Sequence, residues 1–230
     1  MTKGALITGG GTGIGRATAE KLAAAGYAVT CFGLEKDEDL PAGIAFVRGD
    51  VTSKNDIDAV LDGMPTVAAI VNCAGILRHG REWQTDDFEQ VIRVNLTAAL
   101  TLCTAALPKL EESRGAIVNI ASMWSFFGSK LSPAYAASKM GVVALTRSMA
   151  VNWGAKGIRA NAVAPGWIDT NMAAKAKADP ERSVRINERI ALARWGTAEE
   201  VASVIAFLCS PEASYVTGSL ITVDGGYSIG

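Results

Sequence analysis

Tyr135 and Lys139 stand four residues apart in a stretch, Pro133 to Gly154, whose pattern predicts one long helix. Residues at i and i+4 share a helix face. A tyrosine left to itself has a pKa of about 10, too high for a good base near neutral pH. A lysine cation one turn away favours the tyrosinate. Such a pair can take a proton from an alcohol while a hydride leaves its carbon, or return a proton to a carbonyl. A surface helix pair of no chemical consequence has the same spacing.

A second group of residues could hold the partner that such a reaction needs. Thr8-Gly9-Gly10-Gly11-Thr12-Gly13-Ile14-Gly15 follows a strand-like run and opens a helical one. Glycines there permit a tight turn, let the backbone approach a pyrophosphate, and let a helix pack close to a sheet. The helix N-terminus offers free N–H groups and partial positive charge to phosphates. The strand-turn-helix setting, more than the glycines alone, points to a dinucleotide.

These residues need a frame. Ala5 to Thr8 reads as a strand and Ile14 to Ala25 as a helix. Ala28 to Phe32 and Ile44 to Arg48 are the next strands. Ser53 to Leu61 is helical with Ser53 as N-cap, and Val67 to Asn72 is the fourth strand. Asp86 to about Leu110 predicts one long helix. Ala116 to Ile120 is the fifth strand, and Pro133 suits the first turn of the helix that carries Tyr135. Ile158 to Val163 is the sixth strand. Thr197 to Leu208 is a helix opened by a capping box with Glu200, and Leu220 to Val223 is the last strand. Alternating strands and helices call for a doubly wound α/β (Rossmann) domain: a parallel sheet of about seven strands with helices on both faces. The strands are unbroken apolar runs, as burial of both sheet faces requires. Residues 166–195 lack a clear assignment and follow a strand, where α/β proteins place mobile substrate-covering segments.

The 230 residues fit one domain, 1–230. Hydrophobic residues at 49% allow a large core. Lys+Arg 22 against Asp+Glu 23, with no basic stripe, argues against nucleic acid as the partner. No apolar run approaches the roughly 20 residues that span a bilayer, and no leader pattern opens the chain, so the expectation is a cytoplasmic protein with no membrane partner. Cys31, Cys73, Cys103 and Cys209 are widely spaced and His79 is the only histidine, so neither a disulfide framework nor a metal site is expected.

The glycine spacing, Thr-Gly-x-x-x-Gly-x-Gly, resembles that of the short-chain dehydrogenase/reductase family. Further landmarks follow in order. Asn72-Cys73-Ala74-Gly75 is similar to the family's Asn-Asn-Ala-Gly, with Cys73 in place of the second Asn. Asp50-Val51 resembles the pair that contacts adenine in relatives. Asn95, in Val94-Asn95-Leu96, matches the helix asparagine that holds a proton-relay water. Ser122 precedes Tyr135 by the usual thirteen residues, and Tyr135-Ala136-Ala137-Ser138-Lys139 is the family's Tyr-x-x-x-Lys. Pro165-Gly166, with Ile168 and Thr170, resembles the segment beside the nicotinamide, and Asp224-Gly225-Gly226 is typical of the family's end. The resemblance covers nearly the whole chain. It implies an oxidoreductase that moves a hydride between a nicotinamide cofactor and a secondary alcohol or ketone. Tyr135 would be the acid–base, Lys139 its electrostatic support, Ser122 the holder of the substrate oxygen and Asn95 the holder of a water. Relatives are usually homotetramers or dimers, so a homo-oligomer is implied.

Cofactor choice falls at the end of the second strand, where a carboxylate binds ribose hydroxyls and a basic residue pairs with an extra phosphate. The acidic position is taken by Gly33, followed by Leu34 and Glu35. Thr12 stands where many NADP users carry a base, and Lys36 is the only cation close in sequence. The local charge favours NAD, with NADP left open. Trp83, Trp124, Phe127 and Trp167 fall at expected cleft edges and suggest an apolar or cyclic substrate; core or subunit contacts are the alternative. Arg78 and His79 leave room for an anionic group. A non-catalytic dinucleotide-binding redox sensor and a structural subunit are the other function classes.

Overall fold

Residues 2–230 are described by a computed structural model. β1 (Gly4–Thr8), β4 (Ala69–Asn72) and β5 (Ala116–Ile120) are buried at every position. Strands this apolar need cover on both faces, which a parallel sheet between helix layers provides. With β2 (Ala28–Gly33), β3 (Ala45–Arg48), β6 (Arg159–Pro165) and β7 (Leu220–Val223) they form one seven-stranded sheet, order β3-β2-β1-β4-β5-β6-β7. Every pairing is parallel. The order reverses beside β1, so a crevice opens where the carboxyl ends of β1 and β4 separate.

One face packs α1 (Gly13–Ala24) and α9 (Ala198–Cys209), through Ala19, Leu22, Ile205 and Leu208. The other packs α2 (Lys54–Asp62), α4 (Ala98–Ala105), α5 (Leu107–Ser113) and α6 (Pro133–Trp153), through Ile57, Leu102, Leu110 and Met149. Ser53 accepts from the Asp56 amide, and Thr197 and Glu200 close the expected capping box.

The stretch expected as one helix over Asp86–Leu110 is three helices. α3 (Thr85–Ile92) passes through a π-type turn, Arg93–Thr97, into α4. The chain then bends by 62° before α5. Pro108 explains that break: it has no N–H to donate and its ring crowds the preceding turn. The π turn carries Asn95, and such turns often mark functional positions. Among the described residues no single helix is long and apolar enough to cross a membrane.

Residues 166–195, which lacked a clear assignment, contain short helices. A short turn, Asn171–Ala173, leads into α7 (Ala174–Ala178) and α8 (Pro180–Arg189). Ala176, Ile186 and Ile190 pack there with Trp167, Trp195 and Tyr227. This small cluster lies apart from the main core and borders the Gly225-Gly226 turn.

Candidate active site

The glycine-rich turn is shaped by what it excludes. A Cβ on Gly15 would lie 2.1 Å from the Gly9 carbonyl oxygen, and one on Gly11 would lie 2.1 Å from the Glu35 oxygen. Gly9 and Gly13 hold φ of 62° and 50°, the left-handed region that favours glycine. α1 therefore starts hard against β1. Thr12 precedes it without a side-chain cap, and no acidic side chain lies in its first turn. The positive end of α1 is left for an anion. These features fit the pyrophosphate of a dinucleotide.

Other positions expected at the cofactor also make contacts within the protein. Thr8 Oγ1 accepts from the Ala74 amide at 3.1 Å, tying the end of β1 to the Ala74-Gly75 turn. Asp50 accepts from both the amide and the hydroxyl of Thr52, and Val51 is buried. Asn72 points into the sheet: its Nδ2 donates to Asn119 Oδ1 at 2.7 Å and to Cys103 Sγ at 3.3 Å. Asn119 passes the chain on to Thr146 at 2.9 Å. Asn72 thus braces neighbouring strands. Gly166 donates to Val223 O, and a Cβ on it would meet Asp224 Cα at 2.6 Å. The Asp224-Gly225-Gly226 turn thereby fixes the Pro165-Gly166 bend. Ile168 is buried and bridges to Gly196, while Thr170 borders Gly13.

At the end of β2, Gly33 is buried and Leu34 is 60% exposed. Residues 35–39 fold back over the glycine-rich turn, where the Asp37 amide donates to Gly11 O at 3.0 Å. Lys36 is not the only cation there. Folding brings Arg16 to this loop, where its guanidinium is bound by Glu20, Asp37 and Asp39. Three carboxylates surround one cation, so the neighbourhood is net acidic.

Across the crevice, Ser122, Tyr135 and Lys139 come together. Lys139 is 4% exposed; its Nζ donates to Ile120 O at 2.7 Å and sits 5.5 Å from the centroid of the Tyr135 ring. Burial pulls Lys139 down to about 8. Burial pushes Tyr135 up to about 12, while hydrogen bonding with Ser122 draws it down and the charge of Glu82 pushes it further up. In the protein alone, burial is the largest influence on the phenol. Ser122 itself is buried at the start of a short turn, Met123–Ser125, and accepts from the Trp124 amide.

The Asn95 side chain is bonded within the protein. Its Oδ1 accepts from the Ile76 amide at 2.8 Å, and its Nδ2 donates to Ile76 O at 3.0 Å and Ser138 Oγ at 3.2 Å. It clamps the loop after Gly75 to α6. Ser138, between Tyr135 and Lys139, completes the clamp by donating to Tyr135 O. Glu82 is a further residue that the sequence did not single out. It is fully buried and accepts from the Arg78 and Tyr135 amides. Nothing local marks it, because Gly80-Arg81-Glu82 reads as a solvated turn. Asn119 did carry a signal, as a polar residue inside an apolar strand.

The aromatic candidates separate. Trp83 is 71% exposed and donates to Lys130 O. Trp124 and Phe127 are half-buried, with the Arg189 guanidinium 4.8 Å from the Phe127 ring. Trp167 is packed against Trp195 and Tyr227, so its ring belongs to the small cluster of residues 166–195. Arg78 donates to Gln90, and His79 lies against Ser132.

A family model described as enoyl-(acyl carrier protein) reductase matches residues 9–228. The chain is 35% identical to the 2-dehydro-3-deoxy-D-gluconate 5-dehydrogenase of Bacillus subtilis (strain 168), covering 98% of this chain and 94% of that one. It is 37% identical to the cis-4-hydroxycyclohexanecarboxylate dehydrogenase of Sinomonas cyclohexanicum, over 97% and 96% of the two chains. A structure from Agrobacterium tumefaciens, assigned as a 2-deoxy-D-gluconate 3-dehydrogenase with bound NADP, superposes with a TM-score of 0.90 at 38% identity, over 98% and 96% of the chains. The chain belongs to the short-chain dehydrogenase/reductase family and is an oxidoreductase.

Proposed function

From that membership, we propose that the protein interconverts a secondary alcohol and a ketone with NAD as the favoured cofactor and Tyr135 as the general acid–base. The observation that carries this reading is the placement of Lys139, buried against the Tyr135 ring, with Ser122 beside the phenol. A bound nicotinamide supplies the two-electron hydride chemistry and, when oxidised, a positive charge. The chain's own residues do the rest. Gly9, Gly11, Gly13, Ile14 and Gly15 would receive the phosphates; Asp50 and Val51 the adenine; Ala74, Gly75, Pro165, Gly166, Ile168 and Thr170 the nicotinamide end. The Ser122 hydroxyl donates to the substrate oxygen and holds it at the Tyr135 phenol. In oxidation the Tyr135 oxygen takes the alcohol proton as the hydride leaves the carbon; in reduction the phenol gives that proton back. A phenol near 12 needs added positive charge to act as a base at neutral pH, and an oxidised nicotinamide would supply it beside Lys139.

Tyr135→Phe tests this. Turnover is expected to vanish while dinucleotide binding persists, and near-normal turnover would sink the assignment. A sensor or structural subunit would show no turnover in the wild type across D-gluconate, cyclohexanol and cis-4-hydroxycyclohexanecarboxylate, a panel that also sorts the apolar substrate reading from the anionic one. NAD is favoured because Gly33 offers no base and Arg16 is already paired with carboxylates. Steady-state kinetics with both cofactors decide it; a strong NADP preference would refute the reading.

A cytoplasmic homo-oligomer, dimer or tetramer, completes the proposal, with residues 166–195 moving as the substrate cover. Leu100 on α4, and Met140 and Val151 on α6, are exposed apolar side chains suited to subunit contact. Light scattering that finds only monomer would count against it.

A further inference from the structure

Glu82 is fully buried. A carboxylate removed from water needs donors, and leaving it without them is strongly unfavourable. Two backbone amides provide them. Oε1 accepts from Arg78 at 2.8 Å, and Oε2 accepts from Tyr135 at 2.8 Å. Tyr135 is the third residue of α6, and the first amides of a helix have no internal acceptor. Ser132, just before α6, makes no side-chain cap. Glu82 supplies from outside the helix the acceptor that the local sequence lacks, and its charge suits the positive helix end.

The same two segments are tied again nearby. Gly80 donates to Leu131 O at 2.8 Å, and Trp83 Nε1 donates to Lys130 O at 2.9 Å. His79 Nδ1 lies 3.3 Å from Ser132 Oγ. The other end of this loop is Gly75, where an added Cβ would lie 3.4 Å from Asn95 Oδ1 and 3.7 Å from Lys139 Nζ. One loop therefore runs from the Lys139 ammonium to the amide of Tyr135.

We propose that Glu82 is a positioning residue for proton transfer, fixing the backbone of Tyr135, and with it the phenol beside Ser122. This rests on Tyr135 being the acid–base. Two charged groups face Tyr135: Lys139 from α6, which favours the tyrosinate, and Glu82 from the loop, which opposes it. Cys73 borders Lys139 rather than the phenol.

Glu82→Gln keeps the size and removes the charge, and its single acceptor oxygen can serve only one of the two amides. The assay uses the panel alcohol that the wild type oxidises fastest, with dinucleotide binding followed by fluorescence. The pH-independent kcat is expected to fall about tenfold or more, because a small misplacement of a reacting group is costly. The pKa of the kcat profile is expected to move down, because a charge opposing the tyrosinate is gone. Dinucleotide affinity stays. Glu82→Asp keeps the charge but draws it back by one methylene, and should lower kcat without the downward shift. Should Glu82→Gln not fold, the aspartate variant decides alone, and wild-type kcat in it overturns the proposal. A lower Tm with unchanged kcat and profile in Glu82→Gln overturns it too. If Tyr135→Phe loses activity while Glu82→Gln keeps it, only the positioning role fails. If Tyr135→Phe stays active, the reading of Tyr135 fails and this role with it.

Discussion

The two walls of the crevice are made differently. The β1–α1 wall is backbone: Gly9, Gly11, Gly13 and Gly15 work by having no side chain, and a Cβ on Gly15 would overlap a carbonyl oxygen. The β5–α6 wall is side chain: Tyr135 and Lys139, beside Ser122, are placed by bonds with Ile120, Ser138 and Glu82, and Ser138 is held in turn by Asn95. A backbone wall suits a ligand recognised by its phosphates, which need N–H groups and a helix end. A side-chain wall suits chemistry, which needs groups of unusual proton affinity held close together. Binding and turnover should therefore be separable by mutation.

The largest expected effect tests that separation from the chemical side. Tyr135→Phe should lower kcat by about 10²- to 10⁴-fold, the range for loss of an acid–base group, with dinucleotide Kd unchanged by titration calorimetry. A weakened Kd would mean that the two walls are not independent. Gly15→Ala tests the other side. It must push Gly9 from its place, so dinucleotide affinity should fall by about tenfold or more and thermal stability should drop. Normal affinity in that variant would show that the turn tolerates what its geometry forbids.

A smaller effect lies in the pH dependence of stability. Burial holds Lys139 near 8, below its ordinary 10.5, so between those values the unfolded chain binds the proton and the native chain does not. Native stability should rise across that window and be lost as pH falls through 8. Lys139→Met has no proton to bind. Chemical denaturation of both proteins from pH 7 to 10 should show the wild type gaining on the variant, by on the order of 3 kcal/mol at most. A flat difference would mean that Lys139 stays charged in the fold. The smallest effect is a control away from both walls. Thr197→Ala removes the α9 cap and should cost about 1 kcal/mol in unfolding free energy with kcat unchanged; a change in kcat would show that α9 reaches the site.

The backbone wall was legible before folding, because a tight strand-turn-helix has few sequence solutions and glycine spacing is one of them. The residues proposed for proton transfer were legible as a spacing, Ser122 to Tyr135 to Lys139. Their supports were not. Ser138 is an unmarked position between Tyr135 and Lys139, and Glu82 sits in a turn that reads as solvated. The break at Ala106 was within reach, since Pro108 is visible, yet apolar periodicity across it imitates one helix.

The sequence by itself determined the sheet, the glycine-rich turn and the spacing of the pair proposed for proton transfer, because these depend on periodicity, backbone freedom and spacing along one chain. The tertiary structure alone decided the electrostatics. It buried Lys139 and half-buried Tyr135, so that desolvation pulls the lysine down and pushes the phenol up, engaged the Asn95 amide with Ile76 and Ser138, and brought Arg16 into a ring of carboxylates. Burial and charge depend on neighbours distant in sequence, and a spacing pattern carries no record of them.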